Sequence, residues 1–357
     1  MADLMTQTVT YKQLADQYAN FIVPAVKIKV NGADVLKTKK LVIHEMEVTL
    51  VLDQASSAVI KFAHIYDEES HSFESKIKSA FQLGTIAEIE FGYLSKTQKV
   101  FQGYVEMAGA EMGESELFVI TLMDVKRLMM ISGKKSVLYN VPNYSDAFRK
   151  VIGSYSALCS PQIDATSDQL EEPIPQTDND YAFVEHELIG KGKAEREFIV
   201  LAGKAYFRKT RKITAPITTL RYGRELLDLS ISHCYRDMKI EVIGVDDTET
   251  IIKGQAQIKA NMPQKNLVIP TPVCTLTDPY ADTKDKADAK AESAARQERE
   301  RSSIGSGTTL GLPELVPGRF IKIENVDALF DRTYYITEVI HVYSGESFRT
   351  QFEIGGC

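Results

Sequence analysis

Apolar and polar residues alternate in twos along much of this chain. In the closing stretch, Arg332 to Cys357, the residues Tyr334, Ile336, Ile340 and Val342 fall on one face of a strand. Phe348, Thr350, Phe352 and Ile354 share a face of the return strand, and Ser344-Gly345 supplies the turn, so the stretch predicts a β-hairpin. The same period runs through "AVKIKV", where Asn31-Gly32 gives a strong hairpin signal, and then through "HEMEVTLVLD" and "SAVIKFAHIYD". Three further strands follow, in "AEIEFGY", "KVFQGYVEMAGAEM" and "SELFVITLMDV". Helical spacing is confined to Tyr11, Leu14, Ala15 and Tyr18, ended by Pro24, and to Ser72–Gly84, closed by glycine. Many short strands at close spacing predict a compact barrel or sandwich.

The pattern changes at about Ser132. Phe148, Val151, Ile152 and Tyr155 lie at helical spacing behind Ser145, a candidate N-cap. A second helix is predicted from about Asp178, followed by a hairpin turned at Gly203-Lys204, so this part reads as α+β. Strands resume in "LLDLSISHCYRDMKIEVIGVDD" and "TIIKGQAQIKA". "YADTKDKADAKAESAARQERERSS" favours helix by propensity but offers almost no large apolar residue to bury. It reads as a solvated helix or flexible connector, with a helix docked on a partner subunit as the sharper alternative.

Two passages match each other. "GTIAEIEF", "KVFQGYVEM" and "GESELFVITL" parallel "PGRFIKIEN", "TYYITEVIH" and "GESFRTQFEI", with Gly-Glu-Ser turns at Gly113 to Ser115 and Gly345 to Ser347. The fold expected is mainly β, with two similar small β-barrels and a middle α+β domain. The boundaries expected are an N-terminal arm over 1–24, a first barrel over 25–131 and a middle domain over 132–224. The second barrel is assembled from 225–269 and 311–357, with a charged connector over 270–310.

Composition narrows the function classes. The 357 residues are 44% hydrophobic and 25% charged, ordinary for globular domains, and the net charge of −7 argues against a general nucleic-acid binder. No apolar run approaches a membrane span, and the first residues lack the features of a signal peptide, so synthesis in the cytoplasm is expected. Cys159, Cys234, Cys274 and Cys357 are scattered without ligand spacing, which makes free thiols the default and a zinc site unexpected. His44-Glu45 and His186-Glu187 each lack the second histidine of a zinc-protease helix. "GKGKAE" and "LAGKAY" lack the upstream glycine and the Ser/Thr of a phosphate loop, and no G-x-S-x-G elbow is present. His341 reads as a packing or hydrogen-bonding residue. No catalytic, cofactor or metal residue is expected.

The residues resemble the phage late control protein D family, baseplate hubs of contractile tails, which are similar to the amino-terminal hub part of type VI secretion VgrG. "YANFIVPAVKIKVNGADV" looks like the opening of that family's first barrel, and "VFQGYVEM" with "ITLMDVKRLMM" like its end. Gln176, Asp180, Phe183 and Lys204 to Phe207 resemble its Q-x(n)-D-x-x-F helix and following hairpin. "GLPELVPGRFIKIEN" and the closing hairpin resemble its carboxy-terminal signature.

The resemblance implies a structural, non-enzymatic role. A homotrimer with two barrels per subunit adapts a six-fold tail tube to a separate three-fold spike protein, within a phage tail, tailocin or related particle. Its partners are then the tube, the spike and other baseplate proteins, with neither sequence-specific nucleic acid nor stable membrane insertion. Phe348, Phe352 and Ile354 are expected to face the second barrel's core, and Arg349, Gln351 and Glu353 to face water or a neighbouring subunit. Gly103 and Gly345 are the remaining structural positions. Two rival readings are a β-rich adhesin or carbohydrate-binding module and a tail-associated cell-wall hydrolase.

Overall fold

One antiparallel sheet organises most of the chain. The computed structural model describes residues 3–166, 169–189, 196–235, 237–258, 270–279, 281–345 and 347–355. Residues 259–269, assigned by sequence to the second barrel, lie outside these, as do Glu346 and Cys357.

Helix α1 (Tyr11–Gln17) starts under a capping box in which the Thr10 side chain and Gln13 exchange hydrogen bonds with each other's backbone N–H. The first β unit then comprises β1 (Pro24–Val30), β2 (Ala33–Asp34), α2 (Val35–Lys39), β3 (Val42–Val51) and β4 (Ser57–Ala63). It continues with the short pair β5 (Tyr66–Asp67) and β6 (Ser72–Phe73), α3 (Ser75–Ala80), β7 (Ile86–Tyr93), β8 (Lys96–Glu111) and β9 (Leu117–Met123).

Helix α4 (Val125–Met130) leads into the middle unit. This holds β10 (Val137–Tyr139), α5 (Tyr144–Gly153), β11 (Ser160–Ile163) and β12 (Ile174–Gln176). After these come α6 (Asp180–Ala182) with a π-helical turn over Phe183–Ile189, then β13 (Arg196–Leu201) and β14 (Lys204–Lys209). Asn143, rather than Ser145, caps α5, its side chain accepting from the Asp146 N–H at 2.9 Å. The β13–β14 turn falls on Ala202 and Gly203, both at positive φ.

The remaining elements are β15 (Pro216–Arg221), β16 (Leu226–His233), β17 (Lys239–Val245), β18 (Ile251–Gln257) and β19 (Val273–Thr277). Last come α7 (Lys284–Arg301), β20 (Ser303–Leu310), β21 (Phe320–Glu324), β22 (Thr333–Ser344) and β23 (Ser347–Ile354). The repeat read in the sequence corresponds to β7-β8-β9 and β21-β22-β23.

The two β units share one strand order, β3-β4-β9-β8-β7-β1 in the first and β16-β20-β23-β22-β21-β15 in the second. Two of their irregularities also coincide. An extra residue bulges out of β3 at His44 and out of β16 at Leu227. Another bulges out of β8 at Glu106 and out of β22 at Thr337. Counting across the ladders from one bulge to the other gives the same register in both units. One pairing differs: β1 runs antiparallel to β7, whereas β15 runs parallel to β21. Strand β22 also pairs with β3, from Glu338↔Val51 to Tyr343↔Met46, so the two units form a continuous sheet over a single hydrophobic core.

Two expectations are corrected. Strands β17 and β18, within the stretch assigned to the second barrel, form a separate three-stranded sheet with β19, while β15 and β20, from the stretches assigned to the middle domain and the connector, belong to the second unit. The charged stretch is not a solvated connector, because α7 docks on this small sheet. Ala287, Ala291 and Ala295 recur every fourth residue and are buried against Ile240, Val242 and Ala281. Small side chains let the helix approach the backbone closely: a Cβ on Gly254 would fall 2.1 Å from the Ala287 carbonyl carbon. Propensity and charge hid a seam made of methyl groups.

Gly254→Val should therefore force α7 off the sheet and destabilise the protein by about 1–3 kcal/mol. Chemical denaturation with an unchanged midpoint would show that the close approach is not required.

Candidate assembly surfaces

The closing hairpin separates two faces cleanly on β23. Phe348, Phe352 and Ile354 are buried, while Arg349, Gln351 and Glu353 are exposed. On β22 the alternation slips at the Thr337 bulge, which the sequence pattern did not reveal. Tyr334 and Ile336 are buried, but beyond the bulge the buried face is taken by Val339 and His341, leaving Ile340 and Val342 half-buried. Gly345 adopts φ +56° at the turn, a conformation that favours glycine. Gly103 lies so close to the neighbouring strand that a Cβ there would sit 2.3 Å from the Met123 carbonyl oxygen.

Phe348 is where the two units meet. Its ring stacks on Phe91 of β7 at 4.7 Å between centroids, and His341 lies 5.6 Å from the same Phe91 ring. The segment from Gly311 to Arg319 is buried throughout and fills the space beneath the hairpin. Gly311 packs against the Phe348 ring, and its carbonyl accepts from the Tyr93 hydroxyl at 3.0 Å. The Leu312 N–H donates to Thr350 Oγ1 at 2.9 Å, and that hydroxyl lies 3.0 Å from His341 Nδ1. His341 is thus a hydrogen-bonding core residue, and burial pushes its imidazole down to about 3.

The N-terminal arm is fastened by a buried cation. Arg319 is fully buried and donates to the carbonyls of Leu4 at 3.0 Å, Gln7 at 2.9 Å and Ala215 at 3.3 Å. Burial lowers its guanidinium to about 10. Asp3 reaches the middle unit instead, accepting from the Tyr206 hydroxyl at 2.9 Å. Tyr18 donates to buried Glu314 at 2.7 Å, and burial pushes that carboxyl up.

The Q-D-F residues of the middle unit form a polar knot. Asp180 accepts from Gln176 Nε2 at 2.7 Å, from Lys135 Nζ at 2.5 Å and from the Tyr155 hydroxyl at 2.5 Å. Burial would raise its pKa, but these donors outweigh it and hold the carboxyl below the usual range. Phe183 stacks on Tyr139, and Lys204 to Phe207 form most of β14. Arg208 donates to Glu197 at 2.7 Å within the middle unit, while Tyr335 donates to Glu197 at 2.9 Å and Arg208 to the Gly318 carbonyl at 2.6 Å, clamping the middle unit to the second β unit.

On β3, β4, β22 and β23 the sheet face opposite the core is richer in acid than in base. Glu45, Glu47, Glu338 and Glu353 lie there with Lys61 and Arg349. Glu338 has its carboxyl raised by partial burial and by Glu353 and Glu47 beside it. No group of three or more His, Cys, Asp or Glu among the described residues could hold a metal ion. No helix there is long and apolar enough to cross a membrane. The arrangement offers strand edges, a polar sheet face and rigid clamps between units.

This fold is that of tail proteins. A tail protein from Neisseria meningitidis superposes with a TM-score of 0.70 at 11% identity, over 93% of this chain and 96% of that one. The 43 kDa tail protein of prophage MuSo2 from Shewanella oneidensis gives 0.66 at 11% identity, over 92% and 97%. A Francisella PdpA–VgrG complex gives 0.52 at 12% identity, over 97% of this chain and 60% of that chain. By sequence, the chain belongs to the Alg8 N-terminal domain family, whose model matches residues 21–345. No curated protein matches it. The resemblance to late control protein D thus holds at the level of a tail- and baseplate-like fold, while the family that matches is Alg8 N-terminal domain.

Two predictions concern the hairpin. Phe352→Ala should leave a cavity costing about 3–5 kcal/mol, whereas Glu353→Lys, on the exposed face, should change monomer stability by less than about 1 kcal/mol. Urea denaturation of both variants checks this, and equal losses would contradict the assignment of faces.

His341 supplies the second. With its folded pKa near 3 and an ordinary value of 6.5, the unfolded chain takes up a proton between those pH values that the folded chain does not. Stability from the neutral imidazole is present above pH 6.5 and is lost as pH falls toward 3, by up to about 1.4 kcal/mol per unit. The stability difference between wild type and His341→Gln should therefore narrow between pH 7 and 4, and a constant difference would refute it.

Proposed function

We propose that this chain is the structural hub of a contractile injection machine, three copies of which adapt a six-fold tube to a separate three-fold spike. The observation that carries this reading is the duplicated ladder. Two units with the same strand order and the same pair of bulges sit side by side on one sheet within each chain. Three copies then present six near-equivalent units, while everything else occurs three times. The late control protein D hubs supply the precedent for this geometry, and the tail-protein fold supports it. In such a ring the face bearing Glu45, Glu47, Glu338 and Glu353 suits the lining of an aqueous channel. The role is mechanical and needs no catalytic group.

A carbohydrate-binding module would use exposed aromatic rings. Among the described residues only Tyr222 and Tyr235 are exposed aromatics, which favours the hub over that rival. Native mass measurement of the purified hub–spike complex should give three copies of this chain, and any other number would falsify the reading.

A further inference from the structure

Within each chain, β22 serves two neighbours along the same edge. Its first residues pair with β21, from Thr333 to Tyr335, and its later residues, Glu338 to Tyr343, pair with β3. The equivalent strand of the first unit is β8. Its early part pairs with β7 as far as Tyr104, but among the described residues no strand pairs with its outer edge from Glu106 onward. The equivalent of β3 is β16, which pairs with β20 and, apart from an isolated bridge of Leu226 to Tyr222, has no strand on its other side among the described residues. One seam is filled inside the chain, and its counterpart has both edges open.

The side chains at these edges fit a missing neighbour. On β3, Met46 and Val48 are fully buried, but Leu229 and Ile231, their equivalents on β16, are only half-buried. On the β8 side Met107 is 59% exposed and Met112 58% exposed. Beyond its bulge and Asp228, strand β16 continues through Leu229 to His233 with neither proline nor lysine to block pairing along that edge.

We propose that β8, from about Met107 to Glu111, pairs antiparallel with β16 of a second copy of this chain, repeating between chains the β22–β3 seam that each chain makes within itself. The bulges fix the register. Aligning Glu106 with Thr337 and Leu227 with His44 carries the internal pairs Val342↔Glu47, His341↔Val48 and Ile340↔Thr49 onto Glu111↔Ser230, Ala110↔Ile231 and Gly109↔Ser232. The contact is heterologous, with a different edge on each side, so it closes only as a ring. This inference rests on the hub reading for the number of copies, but the seam itself is tested separately.

The test uses particles purified from cells producing the complete machine with a Gly109→Cys/Ser232→Cys chain. A Cβ at Gly109 meets nothing within 4 Å, and Ser232 is exposed, so the chain should melt as wild type does. Mild oxidation should give disulfide-linked dimers and trimers of this chain and nothing larger. Gly109→Cys with Asp228→Cys, displaced by four residues, should cross-link about tenfold less, since Cα atoms more than about 7 Å apart cannot be bridged. Absence of the cross-link in a three-copy assembly, or equal cross-linking by the displaced pair, would overturn the seam and leave the hub reading standing. A copy number other than three by mass would overturn the hub reading, and the cross-link would still decide the seam.

Discussion

The structure depends on one strand being long enough to pair with two others along the same edge. Strand β22 runs over Thr333–Ser344, bonding β21 first and β3 afterwards, with β23 on its opposite side from Ile336 to Ser344. The bulge at Thr337 separates the two commitments and re-aims the strand between them. Without the β3 pairing the two β units would each end in an open edge, and their cores would be separate. With it, Phe348 reaches Phe91, His341 enters the core, and the Gly311 to Arg319 segment is enclosed on all sides. That enclosed segment in turn provides the buried Arg319 and Glu314 that hold the N-terminal arm and Tyr18.

The β character and the faces of β23 were legible because alternation there is uninterrupted from Phe348 to Ile354. The same rule misplaced Ile340 and Val342 on β22, since one extra residue inverts every later side chain and leaves no mark in hydropathy. The repeat was legible as matching fragments. Its strongest evidence, the coincident bulges, lies in pairing partners far apart in sequence. Helix α7 was misread because burial was sought in large side chains, whereas its contact consists of Ala287, Ala291 and Ala295 over Gly254. Gln176 and Asp180 stood out only by resemblance, as the Lys135 and Tyr155 that complete their knot come from other segments.

Several buried polar groups sit at the joints between units. Glu197 with Tyr335, Arg208 with the Gly318 carbonyl, and Arg319 with three carbonyls all link segments distant in sequence. Such groups contribute little net stability compared with apolar packing, but one left without its partner is costly. Relative displacement of the units would strand several at once. Geometry between units is thereby held to one arrangement.

The two units differ in what is inserted into them. Strands β3 and β4 are joined directly by residues 52–56, whereas their equivalents β16 and β20 are separated by the whole β17–β19 sheet and α7. The ladder is the same in both units, so in the assembly proposed above its surface repeats six times around the ring. The α7 layer is inserted into only one of the two ladders, and the middle unit lies between them, so each occurs three times. In that proposed assembly six-fold likeness is carried by hydrogen-bonded strands, whose geometry tolerates wide sequence change, and three-fold character by insertions at loops, where added length costs the ladder little.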